Sequence, residues 1–464
     1  MNAKTERVPL KEALAYGSGA LGTAVTGSMF LFFFSYYLTD VVGLAPIAVM
    51  VLQLLRNTWN AVSDPLVGMF TDRTQSRFGR RKPFIAMGLI PFGLTFGLLW
   101  QVPRGLSPVL TVLLMAVVVV LYDAAQSMVS VPYSALTPAM TASYDERTRL
   151  NGFRQGFSML GGLLVGGTVE AALVFFGTPA RGFGHISWIF SAVAVGSFLP
   201  VLLGVKERHA APPVATTGFF SMFRQTLKNR AFRIALLVYL LSWVSVGICS
   251  TMVIYFLNHW MKMEGQLTEM LLTVQLSALV SIPLLVWLSS KWGKRATFIA
   301  GMTFWAIFQV LLLALRPEHA PYAVLLMACV GTGVGAAHVL PWAMVPDCIE
   351  LDELESGERR EGAYYGVMSF VEKVGTGLAL GGVGLVLQLS GYQSGGAVQP
   401  ESALWAVRLL MGPVPAVLLL GSMVAAYFFP ISKARYGEVC RALEVKRAAK
   451  ALALRDASQE RAAA

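Results

Sequence analysis

Charge is scarce in this sequence. Only 14% of its 464 residues are Asp, Glu, Lys or Arg, while 55% are hydrophobic; a soluble domain carries about a quarter charged residues. A large soluble domain is therefore excluded. Cysteine is scarce as well: Cys249, Cys329, Cys348 and Cys440 are scattered with no CxxC spacing, so neither a disulfide framework nor a zinc site is indicated. An intramembrane enzyme would need a nucleophile with a base, or metal ligands. The five histidines (His185, His209, His259, His319, His338) are dispersed without HExxH or similar spacing, so the chain is not read as an enzyme and no cofactor is expected. The stretch from Met1 to Lys11 is charged and has no cleavage signature before the first apolar segment; no signal peptide is read.

What is present is apolar length. Mean hydropathy is +0.61, and a spanning helix takes about 20 residues plus its loop. Twelve apolar segments follow one another, divided six and six by a polar linker. The expected fold is an all-α membrane protein of twelve transmembrane helices in two six-helix bundles. The N-terminal bundle covers 1–204, the linker 205–230, the C-terminal bundle 231–430, and a basic tail 431–464. The net charge of +11 raises the question of nucleic acid. Its placement answers it, since 29 of the 37 Lys and Arg residues lie in the N-terminus, the even-numbered loops and the tail, and five in the odd-numbered loops. The positive-inside rule then puts both termini in the cytoplasm of a multi-pass protein of the cell membrane. Topology accounts for the basic charge, and a nucleic-acid partner is unnecessary. The chain is read as a monomer in the bilayer.

The halves repeat. Arg77-Phe78-Gly79-Arg80-Arg81-Lys82-Pro83-Phe84-Ile85-Ala86 is matched, at an offset of 214, by Lys291-Trp292-Gly293-Lys294-Arg295-Ala296-Thr297-Phe298-Ile299-Ala300. Val131-Pro132-Tyr133 is echoed by Leu340-Pro341-Trp342 at an offset of 209. Two matches at nearly one offset imply bundles related by a pseudo-two-fold axis along the membrane normal, with a small-molecule site between them near mid-membrane.

The second segment is the polar one. Gln53, Asn57, Asn60 and Asp64 recur at spacings of four, three and four, which places them on one helical stripe beside Arg56. Pro65 follows the acid; lacking an N–H, it deprives the Ala61 carbonyl of its helical partner. A freed carbonyl beside a carboxylate is a hard-oxygen site suited to Na⁺, or to a proton on Asp64. Ionised groups at mid-bilayer cost about 2.5–3.5 kcal/mol each even on the gentler insertion scale, so they face water or partners. The others within spans are Asp123, Arg154, Glu170, Glu372 and Lys373, with His338 as a titratable addition. Asp123, Ser127, Ser130 and Ser134 form a stripe on the fourth segment with Gln126 alongside. Glu170 lies near a helix end, where it can reach the interface.

The sequence Gly68-x3-Asp72-Arg73, followed by Gly79-Arg80-Arg81-Lys82, is similar to the loop motif of the major facilitator superfamily, lengthened between its halves. With Asp64-Pro65 upstream, Thr39-Asp40-Val41-Val42-Gly43-Leu44, Pro132-Tyr133 ahead of Asp145-Glu146-Arg147, and Asp347 before Gly357-Glu358-Arg359-Arg360-Glu361-Gly362, the chain resembles the glycoside–pentoside–hexuronide cation symporters. The resemblance implies cation-coupled symport of a sugar, glycoside or uronide by alternating access. It also implies a cation site at Asp64, Asn60 and Ser130. Asn60 and Ser130 replace acids of the family pattern, which leaves Na⁺ or H⁺ open as coupling ion and Asp123 as a possible compensating acid. Arg154 and Lys373 match a substrate-side and a cation-adjacent position, and Gln126 and Arg56 are expected to face the same cavity. Trp342, with Tyr133 its repeat mate at the cytoplasmic segment ends, is read as an aromatic that stacks on a sugar ring, closes the cavity or, as the more frequent role, anchors at the lipid interface. Asp72, Arg73, Arg80 and Arg81 form the loop read both as a topology determinant and as a gating latch. Gly162-x3-Gly166 and Gly377-x3-Gly381 are read as close helix packing. Two other readings remain: a symporter or facilitator of an anionic amphiphile such as a lysophospholipid, and a non-transporting receptor on the same fold.

Overall fold

A computed structural model describes residues 7–74, 76, 78–103, 105–141, 144–208, 219–263, 265–357, 361–396 and 398–446. Long helices follow one another throughout. The first six are α1 (Leu10–Met29, prolonged by π-helical turns over Phe30–Phe34 and Tyr37–Val41), α2 (Pro46–Arg73), α3 (Lys82–Leu99), α4 (Pro108–Ser134), α5 (Tyr144–Phe175) and α6 (Pro179–Gly204). The second six are α7 (Arg230–Tyr255, prolonged by a π-helical turn over Phe256–Met261), α8 (Leu267–Trp292), α9 (Lys294–Leu311), α10 (Ala320–Ser356), α11 (Glu361–Leu389) and α12 (Glu401–Met411 and Pro413–Tyr427, broken at Gly412). Short helices cover Leu136–Met140 and Phe219–Thr226. Of the linker, 209–218 lie outside the described residues.

Among the described residues, eleven helices are both long and apolar enough to cross a bilayer. The twelfth is α2. Its 28 residues span about 42 Å at 1.5 Å per residue, enough for a hydrocarbon core of about 30 Å. It falls short on apolarity because it carries the polar stripe. The 37-residue α10 runs well past the expected end of its span and closes on Gly357, at φ 77°, whose N–H donates to Glu353 O at 2.9 Å.

The packing repeats with a shift of six helices. In the first bundle α1 lies against α5 and α6, α4 against α2 and α3, and α3 against α6. In the second, α7 lies against α11 and α12, α10 against α8 and α9, and α9 against α12. Between the bundles, α2 meets α11 and α5 meets α8, which again exchange under the same shift. The two helices that open the bundles end alike on the face opposite the termini. Leu44 N–H donates to Leu38 O at 2.9 Å, and Met263 N–H to Leu257 O at 3.0 Å, with Gly43 (φ 83°) and Lys262 (φ 52°) supplying the left-handed residue.

On the face that bears the termini, the polar bonds seen stay within one bundle. The Glu207 carboxylate, just beyond α6, accepts the backbone N–H groups of Arg80, Arg81 and Lys82 at 2.9, 3.1 and 3.3 Å. A carboxylate there satisfies orphan donors at the start of α3 and faces the positive end of its dipole. Gly79, at φ 101°, is needed because a Cβ would sit 2.4 Å from Glu207 Oε1; its repeat mate Gly293 also has positive φ, 84°. Glu207→Ala should cost about 1–2 kcal/mol, read as a lower midpoint of thermal unfolding in detergent; an unchanged midpoint would count against the cap. In the second bundle Lys294 Nζ donates to Asp347 at 2.5 Å. The start of the tail packs on this bundle: residues 433–446 are helical, Val439 and Leu443 are buried, and Lys446 Nζ donates to Leu354 O at 2.7 Å. Burial, with the Glu350 carboxylate facing it, holds the Cys440 thiol above its usual range, so Sγ–H donates to Glu350 at 3.4 Å. The rest of the tail lies outside the described residues.

Candidate functional site

The polar stripe of α2 meets α4 on one side and α11 on the other. Lys373 Nζ, from α11, pairs with Asp64 Oδ2 and donates to Asn60 Oδ1 at 2.5 Å. Ser127 Oγ, from α4, donates to Asp64 Oδ1 at 2.5 Å and lies 2.8 Å from Ser63 Oγ. One turn further along, Asn60 Nδ2 donates to Asp123 Oδ1 at 3.5 Å. Arg56 Nε lies 3.3 Å from the same oxygen, with the guanidinium 4.1 Å above the Phe30 ring. The cluster is two anions and two cations, with no net charge.

Exposure separates its halves. The Asp123 side chain is 0% exposed and Arg56 14%, whereas Asp64 is 24% and Lys373 30% exposed. Burying an ion is costly unless it is paired. Arg56–Asp123 is thus a dry pair inside one bundle, and Asp64–Lys373 a wet pair across two. Only the second can exchange its cation for one from water without opening a bundle.

Of the residues expected from the sequence, Asp64, Asn60, Asp123, Arg56 and Lys373 come together. Ser130 does not join them; it is Ser127, one turn earlier on the same stripe, that reaches Asp64. Gln126 stays outside the network, its Oε1 buried with no hydrogen-bond partner among the described residues. Arg154 on α5 is half-buried and has no carboxylate within ion-pair distance among the described residues. Trp342 stacks on Tyr365 (6.1 Å, 13°) and meets Tyr239 edge-on at 5.7 Å, all within the second bundle. Its repeat mate Tyr133 is buried in the first, donating to Tyr16 O at 2.7 Å. Arg80 and Arg81 offer their backbone N–H groups to Glu207, as above. The side chains of Asp72 and Arg73, and those of Ala61 and Pro65, lie outside the described residues. Glu170, near the end of α5 as expected, accepts the N–H groups of Leu267 (3.1 Å) and Thr268 (2.6 Å) at the start of α8, a structural role capping a helix of the other bundle.

From this cluster the bundle contacts run toward the face opposite the termini. Gly377 and Gly381 admit Asn57 and Leu54 of α2, and Gly162 admits Gln275 of α8, whose Nε2 donates to Gly162 O at 3.0 Å. Both glycine pairs therefore sit at the seam. Near its outer end Asp40 Oδ1 accepts the Tyr392 hydroxyl at 2.6 Å and lies 3.2 Å from His259 Nε2. Thr39 and Tyr255 hydroxyls meet at 2.8 Å. These five outer residues went unassigned in the sequence. Thr39-Asp40 stood out as a motif, but nothing local ties it to His259 or Tyr392.

Two six-helix bundles joined along a seam that bears a charged pair define a membrane transporter. A family model described as MFS/sugar transport protein matches residues 15–433, and the chain belongs to that family. An uncharacterized symporter of Synechocystis, sll1374, is 30% identical, the match covering 95% of this chain and 98% of that protein. A zebrafish protein named sodium-dependent lysophosphatidylcholine symporter 1-A is 25% identical over 91% of this chain and 86% of its own length. Among solved structures, the nucleoside transporter NupG (D323A mutant) has the same fold at a TM-score of 0.65, with 16% identity, covering 91% of this chain and 99% of that one.

Proposed function

We propose that the protein is a cation-coupled symporter of a sugar, glycoside or uronide, with Asp64 as the coupling acid. The observation that carries this is the wet Asp64–Lys373 pair bridging the bundles. Lys373 is a tethered cation on the carboxylate. A Na⁺ ion or a proton arriving at Asp64 competes with it, with Asn60 and Ser127 supplying further oxygens in the Na⁺ case. Displacement loosens α11 from α2, which links ion binding to the seam. Bundles sealed from Asp64 to Asp40 fit a carrier whose opening lies toward the terminal face. The distribution of Lys and Arg supports assigning that face to the cytoplasm. Arg154, without a carboxylate partner among the described residues, is the group for an acidic substituent of the substrate.

One observation favours a second reading, transport of an anionic amphiphile. A cavity of about 430 Å³ on α5 is lined by Gly152, Phe153, Gly156, Phe157 and Leu160, with Arg149 at one end, a wall that suits an acyl chain. The zebrafish relative's name points the same way. Uptake into proteoliposomes of a panel of sugars, uronates and lysophospholipids, under separate Na⁺ and H⁺ gradients, decides between them. Gradient-driven sugar or uronate uptake is the expected result. Lysophospholipid uptake alone would transfer the assignment to the second reading, and uptake indifferent to both gradients would make the protein a facilitator.

A further inference from the structure

The Asp64 network leaves the imidazole of His338 unused. His338 Nδ1 on α10 lies 2.9 Å from Val334 O. A carbonyl only accepts, so the proton is on Nδ1, and the neutral ring presents Nε2 as a lone-pair acceptor. Nε2 has no hydrogen-bond partner among the described residues, and the side chain remains exposed although three helices converge around it. Trp243 of α7 meets the ring at 5.1 Å and 66°. Trp243 Nε1 donates to Thr376 Oγ1 of α11 at 3.0 Å, and Thr376 lies one turn from Lys373. Both α7 and α11 also touch the first bundle, α7 at the π-helical end of α1 and α11 along α2. His338, Trp243 and Thr376 thus bring α7, α10 and α11 together, with Thr376 on the same helix as the lysine of the wet pair.

We propose that His338 Nε2 is the hydrogen-bond acceptor for a substrate hydroxyl, with Trp243 as the apolar face beside it, so that this wall selects a hydroxyl-bearing ring. The inference rests on the sugar reading above and deepens it. The chemistry is specific. In its neutral form an acceptor without a donor favours O–H over carboxylate or phosphate, so the acidic part of a uronide is left to Arg154 on the opposite bundle. An indole face next to the acceptor packs the C–H face of a ring and keeps water from solvating the bond from that side. A site built around one such bond discriminates against the analogue that lacks the hydroxyl.

The test uses full-length protein in proteoliposomes, with methyl β-glucopyranoside, glucuronate and the monodeoxy glucose series as probes. His338→Phe should raise KM for the accepted sugar about tenfold with Vmax within about twofold. His338→Gln, whose amide oxygen also accepts, should recover most of the loss. The wild type should reject one monodeoxy sugar about tenfold, and the Phe variant should lose that discrimination. Should His338→Phe fail to fold, judged by thermal unfolding in detergent, His338→Met replaces it in the same comparison. An unchanged KM, or a Gln variant no better than the Phe variant, overturns the role of His338 and leaves the sugar reading standing. A wild type that takes up none of these sugars removes both.

Discussion

Asp64→Asn is expected to abolish cation-driven accumulation, lowering the steady-state ratio of internal to external substrate to one. The amide cannot hold a proton for transport and gives Na⁺ a dipole in place of a charge. It also leaves the Lys373 ammonium without its counter-ion. An unpaired lysine at mid-bilayer costs about 2.5–3.5 kcal/mol, an upper bound here because its side chain is 30% exposed to the cleft. Loss of activity alone would therefore confound misfolding with uncoupling. Adding Lys373→Met separates the two: the double variant should regain the thermal midpoint lost by Asp64→Asn and should still show no accumulation. Downhill exchange of substrate, which needs no ion gradient, should persist in it. Gradient-driven uptake at wild-type level in Asp64→Asn would falsify the coupling role.

A wedge at Gly377 should have the next largest effect. A Cβ there already lies 3.0 Å from the Asn57 side chain, and one turn beyond, Gly381 would bring a Cβ to 3.3 Å from Leu54. Gly377→Leu adds three further carbons to that seam. Overpacking costs typically 1–3 kcal/mol, and 1.36 kcal/mol is tenfold in an equilibrium, so the sealed state should lose about 5- to 150-fold in population. The damage is confined to that state, because α2 and α11 belong to different bundles and need not touch when the seam opens. Transport should fall accordingly while each bundle stays folded. A cysteine at Thr251, fully buried where its hydroxyl donates to Leu31 O at 3.3 Å, reports the change in a background without the native cysteines. Its labelling by an impermeant reagent from the outer side should rise in the Gly377→Leu protein. Unaltered labelling and transport would mean that the glycine serves only packing economy.

How much of this could be read from the chain depended on how local the cause was. The stripe on α2 was legible because helical periodicity fixes which residues share a face, and the charge of Asp64 in an apolar context marked it. The paired glycines were legible for the same reason. The repeat predicted a symmetric contact pattern, which the packing follows helix by helix. The turn of α4 that meets Asp64 was not legible: Ser127 and Ser130 share a stripe, and only the depth at which α4 crosses α2 selects Ser127. The π-helical ends of α1 and α7 escaped because one extra residue per turn leaves no mark in runs of only five or six residues. Asp40, His259 and Tyr392 are brought together by the closure of two bundles, and no local pattern records that. The structural role of Glu170 was legible from its place near a helix end, but its partner was not, since the helix it caps starts 97 positions later.

The Asp64–Lys373 pair has an electrical consequence. Because acid and lysine cancel, the empty carrier moves no net charge at this point when it reorients. Under the coupling role proposed for Asp64, binding Na⁺ or a proton there adds one positive charge to the moving site. The membrane potential then acts on the loaded step alone, at about 2.3 kcal/mol per 100 mV. A neutral glycoside would carry inward current, whereas a uronate, bringing its own negative charge, would be taken up without any. Current measured during uptake therefore reads out the charge of the substrate directly.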